Sequence, residues 1–231
     1  MANHMGRGPG PIDSYERMRD SYMTLRFIER FGGASLILGS LLLTAYAALF
    51  PILIPVGSGT YDFAQVVLNP SWVRLAMMAF AGVLFMMTGF YAVYSRMCSK
   101  TGLIGAIGFF FVEAAFLLQA CNVTWELYLY PIIAAHPESA FLLRDAVFIR
   151  DPAVVIFRVV SAGTIFVGII LFCLALYRSE EYPKVSAVFV SVGAFVYAIG
   201  PMVSAFVSVT GIVTLSIGCF LIGLRLLRVQ Q

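Results

Sequence analysis

The sequence predicts an all-α membrane protein in which six apolar helices cross the bilayer as three helix hairpins, preceded by an N-terminal amphipathic helix. Of its 231 residues, 61% are hydrophobic and 12% are charged, and the mean hydropathy is +0.92. Soluble domains carry roughly 25% charged residues, so this composition indicates the membrane class. Several uncharged runs also reach the roughly 20 residues that a helix needs to cross a bilayer.

The first 30 residues are polar and are predicted to form a cytoplasmic tail with an amphipathic helix. Between Ser14 and Arg30, apolar residues recur at spacings of three and four with charges between them, which is typical of such a helix. It either lies on the membrane surface or on a partner subunit, or it packs on its own bundle. Residues 31–231 are expected to form one transmembrane bundle.

Uncharged runs and helix-starting residues predict the six spans. The Asn-Pro pair at 69–70 and the Asp-Pro pair at 151–152 each place a favourable N-cap before a proline, which suits the first turn of a helix. The 40 uncharged residues between positions 184 and 225 are twice the length of one span, which predicts two helices and a tight turn near 204–208. The predicted spans are residues 32–54, 70–95, 102–130, 152–177, 184–204 and 208–228.

The hairpin arrangement rests on an internal similarity. A proline stands near the end of the first and fifth spans and directly after the third, at Pro51, Pro201 and Pro131. A threefold repeat of helix hairpins accounts for this pattern, and so do unrelated membrane helices that share proline near their ends.

The basic residues predict how the chain is threaded. Eleven of the fifteen lysines and arginines lie in the N-terminal segment, near residues 96–100 and 178–184, and at the C-terminus. Because basic residues are retained on the cytoplasmic side, both termini are expected in the cytoplasm of a cell whose inner (plasma) membrane holds the protein. The other four are Arg74, Arg144, Arg150 and Arg158.

Glu113 is predicted to lie about 16 Å inside the third span, because a helix rises 1.5 Å per residue. A charged carboxylate at that depth costs about 3 kcal/mol or more. Glu113 is therefore either a proton or cation site, or a neutral carboxyl bonded to a Tyr, Ser or Thr of a neighbouring helix.

Gln119, Asn122 and Glu126 form a second polar stripe on the same helix, roughly opposite Glu113 because each residue turns a helix by 100°. The stripe is either the mouth of a pocket or a subunit contact, or it supplies hydrogen bonds between helices.

The outer rim carries aromatic and charged residues. An aromatic belt at the membrane surface is expected from Trp125, Tyr128 and Tyr130. Arg74 and Arg158 are candidates to pair there with acidic residues, namely Glu126, Asp62 and Asp151.

The composition argues against several functional classes. Two histidines and four scattered cysteines predict no metal site, no haem and no other cofactor. A net charge of +3 without a basic cluster gives no case for nucleic-acid binding. No nucleophile, base and orienting acid can be assembled into a catalytic set, so we expect no enzyme activity.

Three features resemble those of small bacterial six-helix integral membrane proteins of unknown function. They are the Asn-Pro pair at 69–70, Tyr-x-x-Tyr-Ser-Arg at 91–96 and Trp-Glu-Leu-Tyr-Leu-Tyr-Pro at 125–131. The resemblance is architectural, covers most of the chain and implies no activity.

Two functions remain open. The favoured hypothesis is a non-enzymatic accessory or scaffold subunit of a larger inner-membrane assembly. It would meet the lipid bilayer and bind protein subunits through the N-terminal helix or the outer aromatic rim. The alternative is a small-molecule or proton-coupled transporter or channel, with Glu113 as the membrane-embedded acid.

Overall fold

The computed structural model describes residues 11–54 and 62–228, and for residues 11–22, 201, 202 and 205 it describes the backbone alone. Within this range the chain is helical and has no β-strand, which confirms the all-α prediction. A π-helical turn, Trp125–Leu129, stands between α3 and α4. The α-helices are α1 (Pro11–Leu53), α2 (Phe63–Val67), α3 (Pro70–Thr124), α4 (Tyr130–Ala135), α5 (Phe141–Arg144), α6 (Val147–Arg150), α7 (Pro152–Ser179), α8 (Lys184–Val203) and α9 (Ala205–Arg228).

Four helical stretches of the described chain are long and apolar enough to cross a membrane. They are Met23–Leu53, Pro70–Ala135, Pro152–Ser179 and Phe206–Arg228. Lys184–Gly200, within α8, is a shorter apolar helix. Length and composition thus agree with a protein that lies in a membrane.

Helix α3 bends sharply at Gly102, whose φ of 54° and ψ of −144° are accessible to glycine at little cost. Beyond the bend the chain runs back along itself. Tyr94 and Phe109 stand at similar distances on either side of Gly102, and their rings stack with centroids 4.3 Å apart. Helix α3 therefore consists of a first arm, residues 70–101, and a second arm, residues 103–124.

The long helices form a closed circle in chain order: α1, the first arm, the second arm, α7, α8 and α9, which packs on α1 again. Glycines allow close backbone approach at these seams. A Cβ atom added at Gly108 in the second arm would lie 2.6 Å from the backbone nitrogen of Phe172 in α7. The last helix meets the first where Gly33 and Gly223 face each other.

The two ends of the bundle differ in how they are closed. We call them the Arg96 end, where α3 bends, and the Trp72 end, where α3 begins. The main buried core includes Phe90, Met97 and Phe172. At the Trp72 end, the short helices α2, α4 and α5 pack with the end of α1 and the start of α3 in a separate buried cluster around Trp72 and Tyr130.

Two helix starts agree with their predicted caps. The side-chain oxygen of Asn69 accepts a hydrogen bond from the Ser71 amide at 2.8 Å, at the start of α3. Asp151 accepts one from the Ala153 amide at 2.9 Å, at the start of α7. Both side chains satisfy amides that a helix leaves without an internal partner.

The predicted surface helix and the first span form one continuous helix, α1, rather than two elements. The glycines at their junction do not break it because both are held in tight contacts, Gly32 against Ala92 and Gly33 against Gly223. The side chains of residues 14–22, which carry most of the predicted amphipathic face, and the tail of residues 1–10 lie outside the described part of the chain.

Candidate functional site

A cavity of about 450 Å³ lies inside the circle of helices, in the half nearer the Trp72 end. Side chains from α1, both arms of α3, α7, α8 and α9 line it, and most of them are apolar. Its polar lining residues are Tyr46, Gln119, Asn122, Glu126, Tyr197 and Ser208. An apolar cavity with a few converging polar groups is the usual form of a small-molecule site.

Glu126 is the acidic residue that lines this cavity. Asn122, one turn earlier, donates a hydrogen bond from Nδ2 to Oε1 of Glu126 at 3.3 Å. Tyr46 of α1 and Tyr197 of α8 line the same cavity. One carboxyl group therefore faces polar side chains from three different helical segments.

The backbone around Glu126 is π-helical rather than α-helical. A π-turn inserts one residue into the helical register, and such turns are frequent at functional sites. The indole nitrogen of Trp72 donates a hydrogen bond to the Glu126 carbonyl oxygen at 2.9 Å. This bond fixes the start of the first arm to the turn that presents the carboxyl group.

Arg158 of α7 supplies positive charge near the same end. Its Nη2 donates a hydrogen bond to the Tyr130 hydroxyl at 3.3 Å, and it interacts electrostatically with Glu126. Among the described residues no ion pair within 4.0 Å joins it to Glu126. Arg158 thus moderates the charge at the cavity without neutralising Glu126 by contact.

The structure brings all three residues of the predicted polar stripe, Gln119, Asn122 and Glu126, to the cavity wall. It places Glu113 elsewhere. Glu113 lies between Phe110 and Leu117, which are 67% and 58% exposed, and it does not line the cavity. Residues three and four positions apart share a helix face, so Glu113 belongs to the outward side of the second arm.

One carboxyl oxygen of Glu113, Oε1, is buried and has no hydrogen-bond partner among the described residues. The expected bond from a Tyr, Ser or Thr of a neighbouring helix is therefore not seen for this atom. A buried polar atom without a partner carries a desolvation cost of about 1–3 kcal/mol.

The predicted pairing at the outer rim is wrong: among the described residues, neither Arg74 nor Arg158 forms an ion pair within 4.0 Å with Glu126, Asp62 or Asp151. Asp62 and Asp151 cap α2 and α7 with their side chains, and Arg74 is exposed. Tyr128 is 65% exposed, as a membrane belt requires, whereas Tyr130 is 2% exposed. Tyr130 differs from the prediction because the short helices fold over it.

The sequence did not predict an ionic cluster that the structure contains at the Arg96 end. Arg96 in the first arm lies 3.5 Å from Glu29 of α1 and 3.1 Å from Glu181, which follows α7. Lys100 also bonds Glu181, and Arg225 of α9 donates to its backbone oxygen at 3.4 Å. The hydrogen bond from Lys100, followed by that from Arg96, lowers the pKa of Glu181 below its usual 4.5, against the opposing effect of burial.

The cluster joins four segments that are distant in sequence. Its only sign in the sequence is that Glu29 and Glu181 stand among basic residues predicted to be cytoplasmic.

Within the described residues, no group of three or more His, Cys, Asp or Glu side chains comes together to hold a metal ion. Comparison with protein-family models, curated proteins and solved structures finds no match to this chain.

Proposed function

We propose that this protein binds a small, largely apolar molecule inside a membrane-embedded helical bundle, and that Glu126 contacts the polar or cationic group of that molecule. The cavity carries this proposal. Its volume of about 450 Å³ falls in the range of known small-molecule sites, roughly 300–1,000 Å³. Its apolar wall suits the body of the ligand, and the Glu126 carboxyl suits an ammonium group or another hydrogen-bond donor.

This proposal belongs to the small-molecule transporter or carrier class and assigns the acidic role to Glu126 instead of Glu113. Glu126 is the better candidate because it lines a cavity formed by all the long helices, whereas Glu113 is flanked by exposed apolar residues. The π-turn at Trp125–Leu129 leaves the helix continuous but changes its register next to Glu126, and such turns are frequent at functional sites.

We further propose six membrane crossings with both termini in the cytoplasm of a cell whose inner membrane holds the protein. Two features support the number six. The bend at Gly102 divides the 66-residue apolar stretch into two arms, and α8 has 20 residues, about the length that one crossing requires. The clustering of lysine and arginine at the Arg96 end supports the orientation.

An accessory-subunit role remains a second proposal, favoured by the exposed beginning of α7. Nine of the twelve residues from 152 to 163 are exposed, and several are large and apolar. In a membrane such a face contacts either lipid or a partner subunit, and this second proposal assigns it to a partner. Extraction in mild detergent, followed by mass determination of the intact particle, tests this proposal, and a monodisperse single chain would contradict it.

The binding proposal can be tested with the two tryptophans of the chain as reporters. Trp72 bonds to the Glu126 carbonyl and Trp125 precedes it in sequence, so both report on the cavity. The protein in lipid nanodiscs is titrated with octylamine and with the neutral analogue 1-nonanol while tryptophan emission is recorded. We expect a saturable change with octylamine.

The variants Glu126→Gln and Glu113→Gln make a matched pair, because each removes one acidic group from the same helical stretch. Glu126→Gln is expected to weaken octylamine binding about tenfold or more, which corresponds to roughly 1.4 kcal/mol. Glu113→Gln is expected to leave it unchanged. The absence of a saturable signal, or equal effects of the two substitutions, would contradict the proposal.

A further inference from the structure

The burial of α7, which lies next to α8, differs between its two halves. In the half of α7 nearer the Arg96 end, seven of the twelve residues from 168 to 179 are buried. In the half nearer the Trp72 end, only Val154 and Ser161 are buried among residues 152–163. A helix with close neighbours on both sides does not expose most of its circumference. The first half of α7 packs against the turn that follows the second arm, where the rings of Phe157 and Trp125 have centroids 4.8 Å apart, and it leaves most of its remaining surface uncovered.

Gly163 marks the uncovered side. A Cβ atom added there would meet no atom within 4 Å, whereas one added at Gly168 would lie 2.8 Å from the backbone of the second arm. Glycine at position 163 is thus not required for close helix packing. The space beside it opens toward the surroundings of the bundle.

Two phenylalanine rings lie across the seam at the level of the cavity. Phe166 of α7 and Phe195 of α8 have ring centroids 6.1 Å apart, and their side chains are 43% and 50% exposed. Their close neighbours in sequence, Ile165 on α7 and Tyr197 on α8, line the cavity. Phe166 and Phe195 do not line the cavity themselves, so their contact lies on the outer side of the seam, with the cavity-lining residues of the two helices on its inner side.

We propose that the ligand enters and leaves the cavity sideways, from the hydrocarbon of the bilayer, between α7 and α8, and that Phe166 and Phe195 form the gate. This inference rests on the proposed binding function and narrows its ligand class. The ligand is a membrane-dissolved amphiphile, with an apolar body that passes between two aromatic rings and a cationic or hydrogen-bonding group that reaches Glu126.

The ring contact suits a gate because it involves side chains alone. Rotation of two half-exposed side chains opens a path without separating helix backbones, and such motions are fast. The glycine contacts at the other seams join backbones, as at Gly108 on Phe172 or Gly33 on Gly223. Opening those seams would require whole helices to move apart.

The test measures binding and release rates rather than affinity alone. Nanodiscs that contain the protein are mixed rapidly with vesicles loaded with dodecylamine, and tryptophan emission is followed in time. Phe166→Ala and Phe195→Ala are expected to raise the association and dissociation rates about fivefold or more, with Kd unchanged within about twofold. Phe206→Ala, at a 75% exposed position of α9, is the matched control and is expected to change neither rate.

A variant that adds a ring, and is expected to slow the rates instead of raising them, gives a second test. Gly163→Phe places a ring three residues before Phe166, on the same face of α7 and in open space, so it is expected to slow both rates. The observed rate should also follow the mole fraction of dodecylamine in the membrane. If it follows the aqueous concentration instead, and the gate variants behave like wild type, the ligand enters from water and the lateral path is wrong.

The outcomes separate this inference from the function on which it rests. Unchanged rates in the gate variants, together with weakened binding in Glu126→Gln, would overturn the gate and leave the binding site in place. If dodecylamine gives no saturable signal, both proposals fail. A photoreactive residue at Val159, which is 66% exposed, tests whether lipid or a partner subunit covers this face. Crosslinking to a second protein chain in the native membrane would show that a partner covers the path, whereas crosslinking to lipid supports it.

Discussion

The indole nitrogen of Trp72 lies 2.9 Å from the main-chain oxygen of Glu126, although 54 residues separate them in sequence. This bond connects the start of the first arm of α3 to the π-turn after the second arm. The same turn presents the Glu126 carboxyl to the cavity. A tryptophan at the beginning of one helix thus positions an acidic group at the end of another.

Trp72→Phe is expected to remove this bond while keeping an aromatic side chain in the cluster with Phe63 and Phe50. We expect the free energy of unfolding to fall by about 1 kcal/mol, the usual net value of one such bond, and octylamine binding to weaken. Thermal unfolding followed by circular dichroism in nanodiscs measures the first effect. Trp125→Phe is the control for binding because it leaves the Trp72 bond in place, and equal binding losses in both variants would contradict this role.

Glycine substitutions test the helix packing. Gly108→Ala is expected to destabilise the protein by about 1–3 kcal/mol, because the new methyl group would lie 2.6 Å from the backbone nitrogen of Phe172. Gly163→Ala meets no atom within 4 Å and gains up to about 1 kcal/mol of helix propensity. Melting temperatures of the two variants in the same nanodiscs should move in opposite directions. A common direction would refute the assigned packing of α7.

The cluster around Glu181 gives a pH-dependent contribution to stability. Its pKa is lower in the folded protein than the ordinary value of 4.5, so the contribution is fully present above pH 4.5. It is lost as the pH falls through the lower pKa of the folded state. Glu181→Gln is expected to cost about 1–2 kcal/mol at pH 7, between the values for exposed and buried pairs.

The difference in melting temperature between wild type and Glu181→Gln should shrink as the pH is lowered below 4.5, because the wild-type carboxylate is then protonated. Glu138→Gln is a suitable control, since Glu138 is an exposed acid near His136 at the other end of the bundle. A pH-independent difference for Glu181→Gln would count against the ionic role.

Glu113→Gln is expected to leave the free energy of unfolding unchanged or to raise it slightly. Its Oε1 atom is buried without a hydrogen-bond partner among the described residues, so the substitution removes no bond to that atom. Glu126→Gln should cost more, because it turns the charged acceptor of the Asn122 hydrogen bond into a weaker neutral one and removes the attraction to Arg158. Denaturant titration in mixed micelles compares the two variants, and a larger loss for Glu113→Gln would reverse the assignment.

The sequence predicted where individual helices begin, but it said less about which helices pack against one another. Proline after Asn69 and Asp151 predicted where two helices start, because capping is a local property of the chain. The stripe of Gln119, Asn122 and Glu126 was visible for the same reason, since a fixed rotation per residue places these positions on one face.

The inward and outward faces of the helices could not be read from the sequence, because a helix that is apolar all round carries no pattern that distinguishes a neighbour from lipid. For this reason Glu113 was predicted to be the membrane-embedded acid and Glu126 only a member of the outer polar stripe. In the circle of helices Glu126 lies on the cavity wall, whereas Glu113 lies between exposed apolar residues. The pairing of Arg96 with Glu181 spans 85 residues and required the folded arrangement. No residue type in the sequence marks the π-turn at Trp125–Leu129.

The closed circle of helices holds Glu126 at the cavity wall, and the circle closes where the first helix packs on the last. A Cβ atom at Gly33 would lie 3.0 Å from the Cβ atom of Leu226, near the roughly 3.8 Å typical of disulfides. The most direct measurement is the oxidation of the double variant Gly33→Cys with Leu226→Cys, after Cys98 and Cys121 are replaced by alanine. We predict a rapid disulfide within one chain, and none for Gly163→Cys with Leu226→Cys. No disulfide in the first pair, or one that forms only between chains, would contradict the closed circle and the cavity that depends on it.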